Sequence, residues 1–121
     1  MSKVPANRVR REVMGDAFVD RAMGNTTQFT QPLQDFINKH AWGSVWEREG
    51  LTRKERSLIT IAALTALKAP QELKGHVRGA LNNGCTADEI CETILHCAVY
   101  AGVPAASEAF RAAKEVIEPD A

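Results

Sequence analysis

Apolar residues recur along this chain at three- and four-residue intervals, the spacing that lines one face of an α-helix. No run of four or more shows the alternation and β-branched enrichment of a strand flanked by turn residues. The expected fold is therefore all-α. From Asn7 to Met23, helical spacing of Val9, Val13, Met14, Phe18 and Val19 predicts one or two short helices broken near Gly15. Thr30 to Val45 reads as the next helix, with Thr30 as its cap and Pro32 in the first turn, where a missing amide donor costs little. Leu33, Phe36 and Ile37 are expected to point inward.

Two capping boxes mark further helix starts. Thr52-Arg53-Lys54-Glu55 opens a helix expected to run to about Lys68, and Thr86-Ala87-Asp88-Glu89 opens another; in each, the end residues can satisfy one another's orphan amides. Leu58, Ile59, Ala62, Ala63, Ala66 and Leu67 make the first of these apolar over much of its circumference, so it is expected to be the most buried helix. Between the two boxes, Pro70 starts a helix with Leu73, Val77, Ala80 and Leu81 on its buried face, ending at the left-handed cap signal Asn83-Gly84. The helix after Thr86 turns Ile90, Ile94, Cys97, Ala98 and Ala101 inward until Gly102 and Pro104 stop it. A last helix is expected from about Ala105 to Ile117, with a frayed Glu118–Ala121 end. No internal repeat appears. The expectation is one domain over residues 1–121, a bundle of about six or seven helices joined by short turns.

Length and composition agree: 121 residues suit one core, and 45% apolar with 25% charged residues is a globular balance. Fifteen basic and fifteen acidic side chains cancel, so no nucleic-acid partner is implied. The apolar stretches Leu58–Leu67 and Ala98–Ala106 are too short or too interrupted to span a bilayer, and Met1-Ser2-Lys3-Val4-Pro5 lacks the features of a secretory signal. A cytoplasmic protein with no membrane association is expected. Cys85, Cys91 and Cys97, six apart and with no C-x-x-C pair, fit neither a disulfide scaffold nor a zinc site and read as small buried hydrophobes.

Few residues remain that could carry chemistry. Glu72 and His76, four apart on the Pro70 helix, stack one turn from each other. His76 projects to the edge of the stripe of Leu73, Val77 and Ala80, where a half-desolvated imidazole near a carboxylate can hold a proton close to neutral pH; a surface ion pair is the plainer reading. His96 falls in a polar stripe with Glu89, Thr93 and Tyr100, facing solvent or a neighbouring subunit, and His40 is ambiguous in the same way. No histidine spacing suggests a metal. Arg56 stands near a helix N-terminus, where a cation is disfavoured without an anionic partner; for it and for Arg48 that partner is Glu47, Glu49, Glu55 or an acidic ligand. Trp42 and Trp46, the only tryptophans, are expected to stack on one helical face as core or interface anchors.

Longer segments carry a resemblance. His40-Ala41-Trp42-Gly43, Trp46 with Arg48, Gly50-Leu51, Arg56-Ser57-Leu58, Glu72-Leu73-Lys74 with His76, and Tyr100-Ala101-Gly102-Val103-Pro104-Ala105-Ala106 together resemble the carboxymuconolactone decarboxylase family, as do Arg10 to Asp16, Asn82-Asn83-Gly84 and Asp88-Glu89-Ile90. The resemblance implies an alkylhydroperoxidase-like helical fold and a ring-like homo-oligomer, typically a hexamer. The related disulfide reductases place C-x-x-C before the equivalent histidine. Here Ala69 and Glu72 occupy those positions, so thiol peroxidase or disulfide reductase chemistry is unsupported.

The same resemblance implies cofactor-independent loss of carbon dioxide from 4-carboxymuconolactone, a lactone dicarboxylate, in protocatechuate breakdown. On that expectation His76, assisted by Glu72, donates the hydrogen bond and the proton. Arg48 or Arg56 clamps the acetate, and the Trp pair with Val103-Pro104 excludes water. A homologue acting on another lactone or carboxylic acid, or a non-catalytic oligomeric binding protein, is the competing expectation.

Overall fold

The computed structural model describes residues 7–120, which lie in two compact units, Met1–Thr52 and Arg53–Ala121. The N-terminal segment read for a secretory signal, and Ala121, lie outside the described residues. All regular elements among those residues are helical: α1 (Arg8–Met14), α2 (Asp16–Gly24), α3 (Gln31–Phe36) continuing into a π-helical segment (Ile37–Val45), α4 (Arg53–Ala66), α5 (Pro70–Asn82), α6 (Ala87–Tyr100) and α7 (Val103–Ile117).

In the first unit, Gly15 breaks the chain between α1 and α2 with φ +92°, a left-handed value that glycine adopts without a Cβ clash. Val9, Val13, Met14 and Val19 then form a small core with Trp42 and Trp46, against which Phe18, Ile37 and Ala41 pack. The third helix departs from expectation. Beyond Phe36 it widens to i→i+5 hydrogen bonds, as in Trp46 N–H to Ala41 C=O at 2.9 Å, a winding that periodicity does not distinguish from α. Thr30 makes no side-chain cap to it; its hydroxyl instead accepts from the Thr27 N–H at 2.8 Å. Leu33 and Phe36, expected inward, are exposed, because the side facing α1 carries Gln34, Asn38 and the tryptophans instead.

The second unit is a four-helix arrangement in which α4, α5 and α6 each pack against α7. Its core is built from Ile61, Leu73, Val77, Ile90 and Ile94 against the alanines of α7. Ala105, Ala106, Ala109, Ala112 and Ala113 are all buried, and their small side chains let neighbouring helices approach closely. α4 starts where the Thr52 box predicts, but it is not the most buried helix. Only Ser57, Ile61 and Thr65 are buried on it, spaced four apart along the side turned to its neighbours, while Ile59, Ala63, Ala66 and Leu67 face outward. Leu81 and Ala101 are exposed as well. The Asn83-Gly84 stop holds, with Gly84 at φ +91°. At Thr86 both capping-box hydrogen bonds form, the hydroxyl accepting from Glu89 N–H at 3.0 Å and the Glu89 carboxylate from Thr86 N–H at 2.9 Å.

Candidate functional site

In the second unit α5 carries the Glu-His pair. Leu73 and Val77 are fully buried on this helix, and His76 between them is half-buried, the position its helical projection predicts. Glu72, one turn earlier, is exposed, and among the described residues no hydrogen bond or ion pair joins it to His76. The carboxylate is therefore near in sequence and on the same helix, yet in this arrangement it does not hold the imidazole. Arg56 lies half-buried in the first two turns of α4, beside the buried Ser57, whose hydroxyl accepts from the Asn83 side chain at 2.8 Å. That bond fixes the C-terminal end of α5 on α4. On α6, His96 is exposed with its ring 5.0 Å from that of Tyr100, itself exposed, so neither is brought to His76 by hydrogen bonding.

In the first unit the structure does bring the tryptophans together. Their rings stack with centroids 4.9 Å apart at 25°, and both indoles are buried. His40 is exposed, 4.6 Å from the ring of Phe36, and Arg48 is exposed in the turn beyond the π-helical segment.

Sequence reasoning missed Arg10. It is 5% exposed and donates through one nitrogen to Gln34 Oε1 at 3.0 Å and Asn38 Oδ1 at 2.9 Å. Burial lowers its pKa from the usual guanidinium value. The signal was available: Arg10 sits between Val9 and Val13 on the inward face of α1, and Gln34 and Asn38 are four apart.

The cysteines correct one expectation and support another. Cys85 and Cys97 are buried, but Cys91 is exposed. All three are free. Desolvation pushes the Cys85 thiol up, with Glu89 adding to it and Lys54 opposing, and desolvation alone pushes up Cys97, so both are poor thiolates. Cys91 lines a groove of about 350 Å³ between α6 and α7, floored by Ile90, Ile94 and Phe110. None of the histidines, arginines or tryptophans singled out above lines that groove. Among the described residues no group of three or more His, Cys, Asp or Glu is gathered as a metal site would require, and no helix is long and apolar enough to cross a membrane.

These features describe an all-α protein with a half-buried imidazole on the face of α5 and, among the described residues, three free cysteines. The model of the carboxymuconolactone decarboxylase family matches residues 31–115, a span that crosses the boundary between the two units. The chain is 50% identical over 110 residues to the 4-carboxymuconolactone decarboxylase of Acinetobacter baylyi, covering 91% of this chain and 82% of that protein. It is 47% identical over 110 residues to the nitrosuccinic acid decarboxylase of Metarhizium robertsii, covering 91% and 77%. The chain belongs to the carboxymuconolactone decarboxylase family.

Proposed function

We propose that this chain is a carboxy-lyase that converts 4-carboxymuconolactone to 3-oxoadipate enol-lactone and carbon dioxide without a cofactor. The observation that carries the reading is the similarity to the Acinetobacter enzyme, 50% identity over 91% of the chain. The substrate's own structure explains why no external electron sink is required. The bond from the quaternary ring carbon to its carboxylate breaks, and the electron pair moves through the ring double bond into the lactone carbonyl. The resulting dienolate carries its charge on the carbonyl oxygen. A proton delivered to the ring carbon next to that carbonyl then yields the enol-lactone.

In this reading the protein has two tasks, to stabilise an oxygen on which charge grows and to supply one proton. His76 serves both, with Glu72 tuning it once substrate is bound. Arg48 or Arg56 holds the acetate that stays, because clamping the departing carboxylate would stabilise the ground state more than the transition state. The stacked Trp42 and Trp46 form an apolar wall that excludes water.

The whole chain is read as one catalytic domain working in protocatechuate breakdown in the cytoplasm, as a homo-oligomer, in ring form a hexamer. Exposed apolar side chains such as Leu67, Val99 and Val103 in the second unit are surface that self-association would cover. The experiment is to incubate purified protein with 4-carboxymuconolactone and follow carbon dioxide release and loss of substrate absorbance. Release at enzymatic rates is expected, and none at any protein concentration refutes the assignment.

A second reading, the same chemistry on a different carboxylic acid, is favoured by the 47% identity to a nitrosuccinic acid decarboxylase. Running nitrosuccinate beside the lactone decides between them by the ratio of kcat/KM.

A further inference from the structure

We propose that Arg10 is a positioning residue that holds the junction between α3 and the π-helical segment, so that Trp42 and Trp46 keep their stacked geometry. This rests on reading the indoles as pocket walls, and it deepens that reading by naming what sets them in place. One Arg10 nitrogen donates to Gln34, in the α-helical half, and to Asn38, the second residue of the π-helical half. A single guanidinium therefore bridges the point at which the winding changes. Immediately beside it, Val9 and Val13 of the same helix pack into the cluster that holds both tryptophans.

The bridge is not what stability alone would select. Arg10 is buried with two neutral amide oxygens as acceptors, its Nε has no hydrogen-bond partner among the described residues, and burial opposes its charge. An apolar side chain of similar length would avoid that desolvation. What the charged side chain adds is direction: two N–H bonds from one terminal nitrogen specify where two oxygens one turn apart must lie.

That placement matters because an α-helix closes i→i+4 rings and a π-helix i→i+5 rings. If the segment beyond Asn38 reverted to α winding, the following residues would swing about the axis by up to roughly 100°, one residue's worth. Trp42 and Trp46 would turn away from Val9, Val13 and Met14. Fixing Gln34 and Asn38 from α1 sets where the wider turns begin and hence which way the indoles face.

The stack supplies its own readout, since these are the only tryptophans and two indoles 4.9 Å apart give an exciton-coupled circular dichroism band. The spectrum of Trp42→Phe defines its complete loss. In unliganded protein, Arg10→Met is expected to keep helix content and a cooperative melt but to lose most of the couplet. Arg10→Lys, still able to donate to both amides, recovers it. On 4-carboxymuconolactone, Arg10→Met lowers kcat by roughly 10–100-fold, as a misplaced wall would, with a smaller change in KM. A folded Arg10→Met protein with the parental couplet overturns the proposal. Should that variant not fold, Asn38→Ala removes the π-side acceptor and carries the same expectation, and an intact couplet there overturns it equally. Because the band is read without substrate, a protein that turns over no lactone but loses its couplet on Arg10→Met would refute the functional reading and leave this one standing.

Discussion

Ser57 and Asn83 are joined by a 2.8 Å hydrogen bond that ties the end of α5 to the first turns of α4, and Ser57 is almost wholly buried. Asn83 also reaches the carbonyl of Arg53 at 3.4 Å, so one side-chain amide satisfies groups near the start of α4 while its backbone caps α5. Ser57→Ala removes an acceptor and leaves a half-buried donor, a loss of about 1 kcal/mol, at the low end of the range for unsatisfied groups because water retains some access to Asn83. Urea unfolding of Ser57→Ala, Asn83→Ala and the double variant, at one fixed protein concentration, should show a coupling energy above about 0.5 kcal/mol. Strict additivity would mean that the bond contributes nothing.

How much of this was legible beforehand depended on whether the deciding force was local. The break at Gly15, the Asn83-Gly84 stop and the Thr86 capping box follow from chain geometry over a few residues, and each appears as read. Leu33, Phe36, Ile59 and Leu67 were misplaced because hydrophobicity identifies an apolar residue but not which side of its helix finds a partner. The π-helical winding was hidden because it differs from α by one residue per ring, which a stretch of nine residues hardly registers in its apolar spacing. Among the candidate residues, the half-burial of His76 and the stacking of the tryptophans could be read from helical spacing, whereas the Arg10 bridge joins residues 24 and 28 apart in sequence.

The Thr86 box makes the start of α6 sensitive to acid. Glu89 is held below the ordinary carboxylate range by its hydrogen bond from Lys54 at 2.8 Å and next by the Thr86 N–H. A carboxylate depressed in the folded state adds stability above its unfolded value, ~4.3, and that contribution is lost as pH falls toward the folded value. Glu89→Gln should therefore flatten the acid limb of a stability-against-pH curve while changing little of its shape above pH ~6. Thr86→Ala should cost about 1 kcal/mol at neutral pH. Parallel acid limbs for parent and Glu89→Gln would remove the linkage.

Thiol reagents should distinguish the three cysteines. Cys91 is exposed, while Cys85 and Cys97 are buried with thiols pushed up by desolvation and directed at the carbonyls of Lys54 and Ala62. One equivalent of thiol is expected to react in the native protein and three after unfolding. Cys91 and Cys97 lie six residues apart on α6, roughly 9 Å of rise, beyond the ~7 Å within which a disulfide closes without moving backbone. A cysteine-free variant should therefore keep decarboxylase turnover. If it loses turnover while remaining folded, thiol chemistry returns to consideration.

His76 and the arginines should separate in steady-state kinetics. Loss of a positioned proton donor typically costs 10²–10⁴-fold, so His76→Ala should lose turnover on that scale with KM little changed. Glu72→Gln should cost less, since Glu72 is exposed and unattached to the ring. Arg48→Ala and Arg56→Ala should be compared by KM, and the residue that clamps the acetate is the one whose loss raises it with kcat nearly kept. Near-normal kcat in folded His76→Ala would take the imidazole out of the chemistry.

Gly43 provides the sharpest structural test of the π-helical segment. A Cβ built on it would lie 2.8 Å from the backbone oxygen of Asn38, five residues earlier, closer than real Cβ atoms approach. The obstructing atom is backbone inside the same wide turn, so a side chain at 43 cannot be accommodated by rotating a neighbour away. Gly43→Ala must shift the turn itself, at a cost of about 1–3 kcal/mol by analogy with overpacked sites. The generic gain of replacing glycine by alanine in a helix, about 0.8–1 kcal/mol, opposes this, so the sign of the net change reports the winding. Destabilisation together with a weakened indole couplet is expected. A stabilised Gly43→Ala protein with its couplet intact would mean that the segment is α-wound in solution.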